Sequence, residues 1–427
     1  MKPSILIISY EYRPALSARS FRWTALAERW VHEGREVHVV CSRSPGQLAF
    51  ETLGGVRVHR VGSAWIARLR ASTTHSQGVQ AAEQNALRSL ASAAARRVWH
   101  AIYWPDTSCP WYFAALRKAR EILSEASPNA LVSVSPTFTA VAVGRALAKR
   151  RPRSFRWLID LGDPFSFAHE SPPNNFRLYR LLNLGFERSC FAEADAVSVT
   201  TPETRERYAA LFPESALRIS VIPPLVAMPD TGKVAAAGEG AGSRRMVFLG
   251  RLYPTIRRPD FLLALFSALT ESRRVEGYEL HFYGETRECE ASFTRYRNLI
   301  GRSIHLHGPV PREHAVAAMR SADVLVNVGN DTRYQLPSKI VEYATTGKPI
   351  LNLARYADDS SARFLAEYPG QLTLLAREEG PTPEDMLKLQ EFLANPPPAM
   401  PPEALRARLA PYTLPEISAR YGALLAG

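Results

Sequence analysis

A chain of 427 residues, 46% hydrophobic and 22% charged, carries enough apolar material for two or three packed cores, which excludes disorder as its main state. Its net charge of +12 favours anionic partners such as acidic lipid, a phosphorylated substrate or nucleic acid; an Arg-rich background explains part of it, and charge alone does not specify a fold. Cys41, Cys109, Cys190 and Cys289 lie far apart with no C-x-x-C, so zinc-finger spacing is excluded and reduced cytoplasmic thiols are expected.

The opening "MKPSILIISYEYRP" has too short an apolar run for a secretory signal. No stretch reaches about 18 apolar residues, so no membrane-spanning helix is expected. "SILIISY" reads as a buried parallel strand, and "SARSFRWTALAERWVHEG" has helical spacing with Gly34 as its stop. "REVHVVCS" is the next strand. Strand, helix and strand in this order predict a doubly wound α/β domain.

Residues 57–103 interrupt the alternation. They hold seven Arg against one Glu and read as a basic, partly amphipathic insertion, either a solvated surface or a patch resting on anionic lipid. The alternation then resumes through "ALVSVS", "TAVAVGRALAKR", "FRWLIDL", "RLLNLGFERSCFAEA", "AVSVTT", "ETRERYAALFP" and "ISVIPP". The first domain therefore spans residues 1–225.

Residues 226–243 are small, Gly-rich and aperiodic, as a linker is. A second Rossmann-like domain over 244–405 begins with "RMVFLG" and continues through "PDFLLALFSALTES", "YELHFYG", "SIHLHG", "PREHAVAAMRSA", "DVLVNVG", "SKIVEYATTG" and "KPILNLA". Residues 406–427, after a Pro-rich break, carry a last amphipathic helix.

Ligands of open α/β sheets bind beyond the carboxyl ends of the strands, so a central cleft between two such domains is the expected site. After "VFL" come Gly250, which lets backbone approach a ligand, then Arg251, and one loop later Arg257 and Arg258. Three guanidiniums at one strand end suit a diphosphate. The helix in "QLPSKIVEYATTGKPIL" opens on Ser338, read as its N-cap, followed at once by Lys339. A cation at that position opposes the helix dipole, which makes sense if this end faces phosphate. Glu342 lies one turn in, as an ordinary first-turn carboxylate or as an acceptor for two ribose hydroxyls. Asp160 and Asp163 in "IDLGD" are either loop and capping residues or aspartates facing the reaction. His305 and His307 point the same way on one strand, and a pair without a third ligand is weak support for metal.

These segments together resemble a known family. "FLGRL", "LHFYGE", "IHLHGPVPREHAVAAMRSADVLV" and "LPSKIVEYATTGKPIL" resemble the nucleotide-binding domain of retaining, GT-B-fold glycosyltransferases of the family 4 type. "YWPDTSCPWYFAAL", "VSVSPTFTA" and "RWLIDLGDPFSF" resemble the first domain of its exopolysaccharide and capsule branch. The resemblance covers nearly the whole chain.

It implies a GT-B fold whose C-terminal helix can cross back to the first domain, and transfer of a hexose-type sugar from a UDP- or GDP-linked donor. Arg251 with Arg257 or Arg258 would hold the diphosphate, Glu342 the ribose, Ser338 and Lys339 the phosphate end, and His281 to Gly284 the base or sugar. Asp160, Asp163 and Arg251 would act in catalysis. No metal and no cofactor beyond the nucleotide-sugar would be needed, because fixed cations stabilise the leaving group.

Tyr334 stands where the family often has a second Glu, and the usual Gly-Gly is absent from "YEYRPALSARS". Arg13, Arg19 and Arg22 would there replace backbone amides on the acceptor side. The acceptor would be a glycan or lipid-linked glycan, and the location cytoplasmic, peripheral on the inner face of the membrane.

Among rivals, a dehydrogenase lacks its G-x-G-x-x-G, and no nucleic acid partner is expected because the arginines do not form a basic groove interleaved with aromatics. A GT-B protein that binds a nucleotide-sugar as an epimerase or non-catalytic partner is the alternative.

Overall fold

Continuous β-branched and aromatic runs build two sheets, because strands covered by helices on both faces need no polar alternation. The computed structural model describes residues 4–62, 99, 101–149, 154–170, 172–226, 243–272 and 277–426. The chain divides into two units, Met1–Pro223 with Leu414–Gly427, and Pro224–Thr413. The first unit thus includes the C-terminal helix, and the second runs eight residues past the expected boundary at 405.

The strands of the first unit are β1 (Ser4–Ser9), β2 (Glu36–Ser42), β3 (Phe50–Leu53), β4 (Val56–Val61), β5 (Ala130–Val134), β6 (Arg156–Asp160), β7 (Ala196–Val199) and β8 (Ile219–Val221). Their order is β3-β4-β2-β1-β5-β6-β7-β8. All neighbours are parallel except β3 and β4, an antiparallel hairpin at one edge. Its helices are α1 (Ala18–His32), α2 (Tyr112–Ala126), α3 (Phe138–Ala148), α4 (Phe176–Glu193) and α5 (Pro202–Leu211). Ser17 caps α1 by accepting from the Ser20 amide.

The start of the expected insertion needs correcting. Residues 57–61 belong to β4, which pairs with β2, its buried positions alternating with its outward ones. This is a half-exposed edge region, where period-two patterning replaces an apolar run. Most of the insertion, and nearly all of the expected linker, lie outside the described residues.

The second unit holds β9 (Arg244–Leu249), α6 (Asp260–Ser272), β10 (Tyr278–Tyr283), α7 (Glu290–Thr294), β11 (Ile304–Gly308), α8 (Arg312–Ser321), β12 (Val324–Val328), α9 (Ser338–Ala344), β13 (Ile350–Ala354), α10 (Ser360–Leu365), β14 (Gln371–Leu375), α11 (Pro383–Ala394) and α12 (Pro402–Leu409). Its sheet is wholly parallel with the order β11-β10-β9-β12-β13-β14. The chain winds outward from β9 in one direction, then returns to β12 and winds the other way. That reversal makes the gap between the β9 and β12 ends the topological switch point of a doubly wound sheet. Met246 and Phe248 bury one face of β9 in one core, Val247 and Leu249 bury the other face in a second.

The C-terminal region is two helices rather than one. α12 belongs to the second unit, and α13 (Leu414–Ala426) to the first. Ile417, Tyr421 and Leu425 form its buried stripe at helical spacing. Trp30 Nε1 donates to Ser418 Oγ at 3.1 Å, and Arg156 Nε donates to the Leu424 carbonyl at 2.8 Å.

Candidate functional site

The carboxyl ends of β9 and β10 meet through two glycines. The Gly250 amide donates to the Tyr283 carbonyl at 2.9 Å. Gly284, at φ +132°, lies so close that a Cβ would stand 1.9 Å from the Gly250 oxygen. Neither position accepts a side chain, so bare backbone lines this strand end.

The loop after Gly250 is pinned at both ends. Tyr253 and Arg257 exchange two backbone hydrogen bonds of 3.1 Å, and the Asp331 amide donates to the Ile256 carbonyl at 2.7 Å. Arg257 is carried back toward Gly250. Its Nε donates to Asn330 Oδ1 at 2.9 Å, and a terminal nitrogen donates to the Arg251 carbonyl at 3.4 Å. Asn330 follows β12, and its Nδ2 donates to Gln335 Oε1 at 3.2 Å. Gly250 and Asn330 therefore bracket the switch point, with Arg257 spanning it.

Helix α9 is bolted to the same place. The buried Tyr343 hydroxyl accepts from the Leu249 amide at 2.8 Å and donates to the Leu249 carbonyl at 3.3 Å. Burial pushes that phenol well above its ordinary range. Lys339 Nζ sits 2.6 Å from Glu342 Oε2 within the first turn, so the unusual opening cation has a partner one turn on. One expectation is corrected here: Ser338 is the first helical residue, not the cap. Pro337 occupies the capping position and gives no side-chain hydrogen bond, and α9 has only seven residues. The case for an anion therefore rests on the side-chain cations more than on the dipole.

The three arginines differ. Arg251 is paired with Glu288, its carboxylate neighbour on the surface. Arg258 turns away to Glu378 at 2.7 Å. Arg257, half-buried, has no carboxylate partner among the described residues, and burial lowers its pKa. It remains charged, since an arginine does not lose its proton in water-accessible protein. The structure thus brings together Gly250, Arg257, Gly284 and Asn330; Tyr343 anchors α9, which carries Lys339 and Glu342, to Leu249 just before them, while Arg251 and Arg258 each pair with a surface carboxylate. Asn330 was not singled out in the sequence, because a lone Asn after a strand carries no pattern.

In the first unit the expected reactive residues Asp160 and Asp163 lie at and just after the end of β6. Asp160, at the end of β6, is 1% exposed. Its Oδ2 accepts from Arg19 at 2.7 Å and Trp23 Nε1 at 3.0 Å, and its Oδ1 from Ser198 Oγ at 2.7 Å and Tyr421 at 2.6 Å. Burial opposes ionisation, but Arg19, Arg22 and the Tyr421 and Ser198 hydroxyls outweigh it and hold the carboxyl below its usual value. Every lone-pair direction is spoken for, so Asp160 is a structural anion rather than a reacting one.

The acceptor-side expectation for two of the three arginines is corrected for the same reason. Arg22 is buried and donates to the Pro223 carbonyl at 2.6 Å, the Ile222 carbonyl at 3.2 Å and the Tyr421 hydroxyl at 2.5 Å. Arg19 is committed to Asp160, and it passes where a Cβ on Gly162 would stand 2.1 Å from its guanidinium. Arg13 is exposed and paired with Glu28. Asp163 is half-buried in the loop after β6.

His281, expected near base or sugar, turns its ring toward Glu279 of its own strand and the histidines of β11. Its Nε2 is 3.2 Å from Glu279 Oε2, and His305 Nε2 is 3.3 Å from the same oxygen. The His305–His307 pair therefore has further potential ligands on the neighbouring strand.

Comparison with known proteins agrees with this architecture. Residues 20–224 match the family model described as "Glycosyl transferase 4-like domain", and residues 243–360 match "Glycosyl transferases group 1". The chain is built from the two domains of a GT-B glycosyltransferase. A search of curated proteins finds no match.

Among solved structures, sucrose-phosphate synthase from Thermosynechococcus elongatus is 16% identical at a TM-score of 0.68, covering 99% of this chain and 98% of that one. WaaG, a glycosyltransferase involved in lipopolysaccharide biosynthesis, is 14% identical at 0.59, with 99% and 100% covered. The catalytic domain of starch synthase IV from Arabidopsis thaliana, bound to ADP and acarbose, is 10% identical at 0.60, with 100% and 99% covered. At these identities the likeness shows the shared GT-B fold. The four cysteines are all free.

Proposed function

We propose that this glycosyltransferase moves a hexose-type sugar, with retention, from a UDP- or GDP-linked donor to a polysaccharide precursor. The observation that carries the reading is Arg257: a half-buried cation without a carboxylate partner among the described residues, held at the switch point against Gly250 and Asn330. A diphosphate supplies the missing counter-charge. Arg251 and Lys339 join it once their present carboxylate partners, Glu288 and Glu342, let go. Glu342 then turns to the ribose hydroxyls. That the starch synthase structure holds ADP and acarbose supports a nucleoside diphosphate in this fold.

As the anomeric carbon–oxygen bond breaks, its electron pair stays on the leaving diphosphate. Fixed cations at that oxygen stabilise the developing charge without reorganisation. The acceptor hydroxyl closes on the same face of the sugar and passes its proton to the departing phosphate oxygen as the new carbon–oxygen bond forms. No metal or other cofactor is required at the donor site under this reading. Asp163 is the remaining first-unit aspartate that can face the acceptor or sugar ring.

A lipid-linked acceptor and a peripheral membrane position belong to the same proposal. Among the described residues no helix is long and apolar enough to cross a membrane. α4 exposes Leu178, Leu181 and Leu182 beside Arg177 and Arg180, and the exposed Ile102 adjoins it through the Tyr179 hydroxyl at 2.8 Å from its carbonyl. An exposed apolar stripe with flanking arginines suits an anionic lipid surface. Leu181, 73% exposed, is the residue to change: Leu181→Glu should abolish co-sedimentation with vesicles containing phosphatidylglycerol. Equal sedimentation of both proteins, or none for the parent, would remove the membrane from the account.

The donor is identified by melting the protein against UDP, GDP and ADP, with and without Mg²⁺. One nucleotide at a hundred times its Kd adds about 2.7 kcal/mol, and the shift should not depend on Mg²⁺. No shift with any of the three would contradict the reading.

A further inference from the structure

We propose that Glu279, His281 and His305 bind one divalent transition-metal ion of the zinc type, tying edge strand β11 to β10.

The register places these residues together. His281 and His305 are direct partners in the β10–β11 ladder, and Glu279 precedes His281 by two positions on the same face. The three ligand atoms lie within 4.8 Å of one another. Glu279 Oε2 stands 3.2 Å from His281 Nε2 and 3.3 Å from His305 Nε2. Ligands about 2.0–2.1 Å from a tetrahedral zinc ion stand about 3.3 Å from each other.

A hydrogen-bonded cluster would look different. Both Nε2 atoms are shielded from solvent, yet neither makes a hydrogen bond that satisfies distance and angle. Orphaned buried polar atoms call for a partner, and one cation satisfies both.

The surroundings are those of a ligated site. His281 Nδ1 lies 3.0 Å from His307 Nε2; the tautomer in which Nδ1–H donates there is the one that leaves the Nε2 lone pair free for metal. His307 stacks on Tyr283 with centroids 4.1 Å apart and rings 6° from parallel. Arg245 is the opposing charge on this face, and it is engaged by the Tyr283 hydroxyl at 2.8 Å and Ser321 Oγ at 3.0 Å. Two imidazoles and one carboxylate, with a fourth position for water, match zinc preference over calcium or magnesium.

Glu279 and His281 lie five and three residues before Gly284, about 16 Å and about 10 Å at strand rise. The metal lies down the strand from the proposed diphosphate site, and its role is to fasten an edge strand.

The test uses tag-free, full-length protein stripped with a chelator and titrated with Co²⁺, then Zn²⁺. The expected result is one ion per chain, visible cobalt bands of tetrahedral intensity that zinc erases, and a higher melting temperature with zinc. Glu279→Gln and His305→Ala should each weaken binding at least about tenfold, while His314→Ala, on α8 outside the cluster, should leave it unchanged. The wild-type cobalt spectrum needs no variant to fold, and the near-isosteric Glu279→Gln stands in if His305→Ala misfolds. A featureless cobalt spectrum with no zinc-dependent stabilisation would overturn the proposal, as would unchanged affinity in Glu279→Gln.

Discussion

Two clusters of charge in this molecule use the same residue types to opposite ends. In the first unit, Asp160 is buried with four donors, and Arg22 and Arg19 are consumed in holding it and the chain around it. In the second unit, Arg257 sits half-buried at a strand end with an amide oxygen and a carbonyl for company. A saturated charge network has nothing left to offer a ligand. An unsaturated one has already met part of the desolvation cost and lacks only the anion. Saturation, more than residue type or location after a strand, separates structural charge from candidate site.

The contrast is broken most forcefully at Asp160. Asp160→Asn keeps the shape but removes the charge that faces Arg19 and turns a donor toward Trp23. Breaking a buried pair from one side costs about 3–5 kcal/mol, so denaturant unfolding should show a loss of that order. A loss below about 1 kcal/mol would mean that the network is not structural. Because its pKa is held low in the fold, Asp160 contributes stability that is present above the unfolded carboxyl value and disappears as pH falls through the folded one.

Glu187 sharpens the comparison with a buried carboxyl that has no cation partner among the described residues. It accepts from the Tyr208 hydroxyl at 2.6 Å and the Ser166 amide at 3.1 Å. Burial raises its pKa from 4.5 to about 7. The fold then keeps a proton that the unfolded chain has released, so this group lowers stability as pH climbs from about 4.5 to about 7. Glu187→Gln should remove that slope, and the variant should gain on the wild type by on the order of 2–3 kcal/mol between pH 5 and pH 8. Parallel stability curves for the two proteins would contradict this. Arg257→Ala should be the mildest to the fold, within about 1 kcal/mol of wild type, since it breaks hydrogen bonds but no ion pair.

Much of the fold was legible because parallel strands covered on both faces must be apolar throughout. "SILIISY", "RMVFLG" and "DVLVNVG" admit few other readings. β4 was not legible as a sheet strand: "VRVHRV" alternates, and its arginines matched the basic stretch that follows. Within the site, Gly250 and Arg257 could be found from position after a strand. What decides between Arg257 and Arg258 is the 3.1 Å pairing of Tyr253 with Arg257, which sends adjacent side chains to opposite sides. The Asp160–Tyr421 contact joins residues 261 apart, and the Glu279–His281–His305 set depends on strand register. Neither leaves a local trace in the sequence.

The most direct measurement compares two neighbouring arginines. Calorimetric titration of the preferred nucleoside diphosphate into wild type, Arg257→Ala and Arg258→Ala separates the cation facing the switch point from the one paired with Glu378. The account predicts that Arg257→Ala weakens binding by about 1.5–3 kcal/mol, as expected for a hydrogen bond to a charged group, while Arg258→Ala stays within about 0.5 kcal/mol of wild type. Equal losses in both variants, or an effect confined to Arg258→Ala, would contradict it.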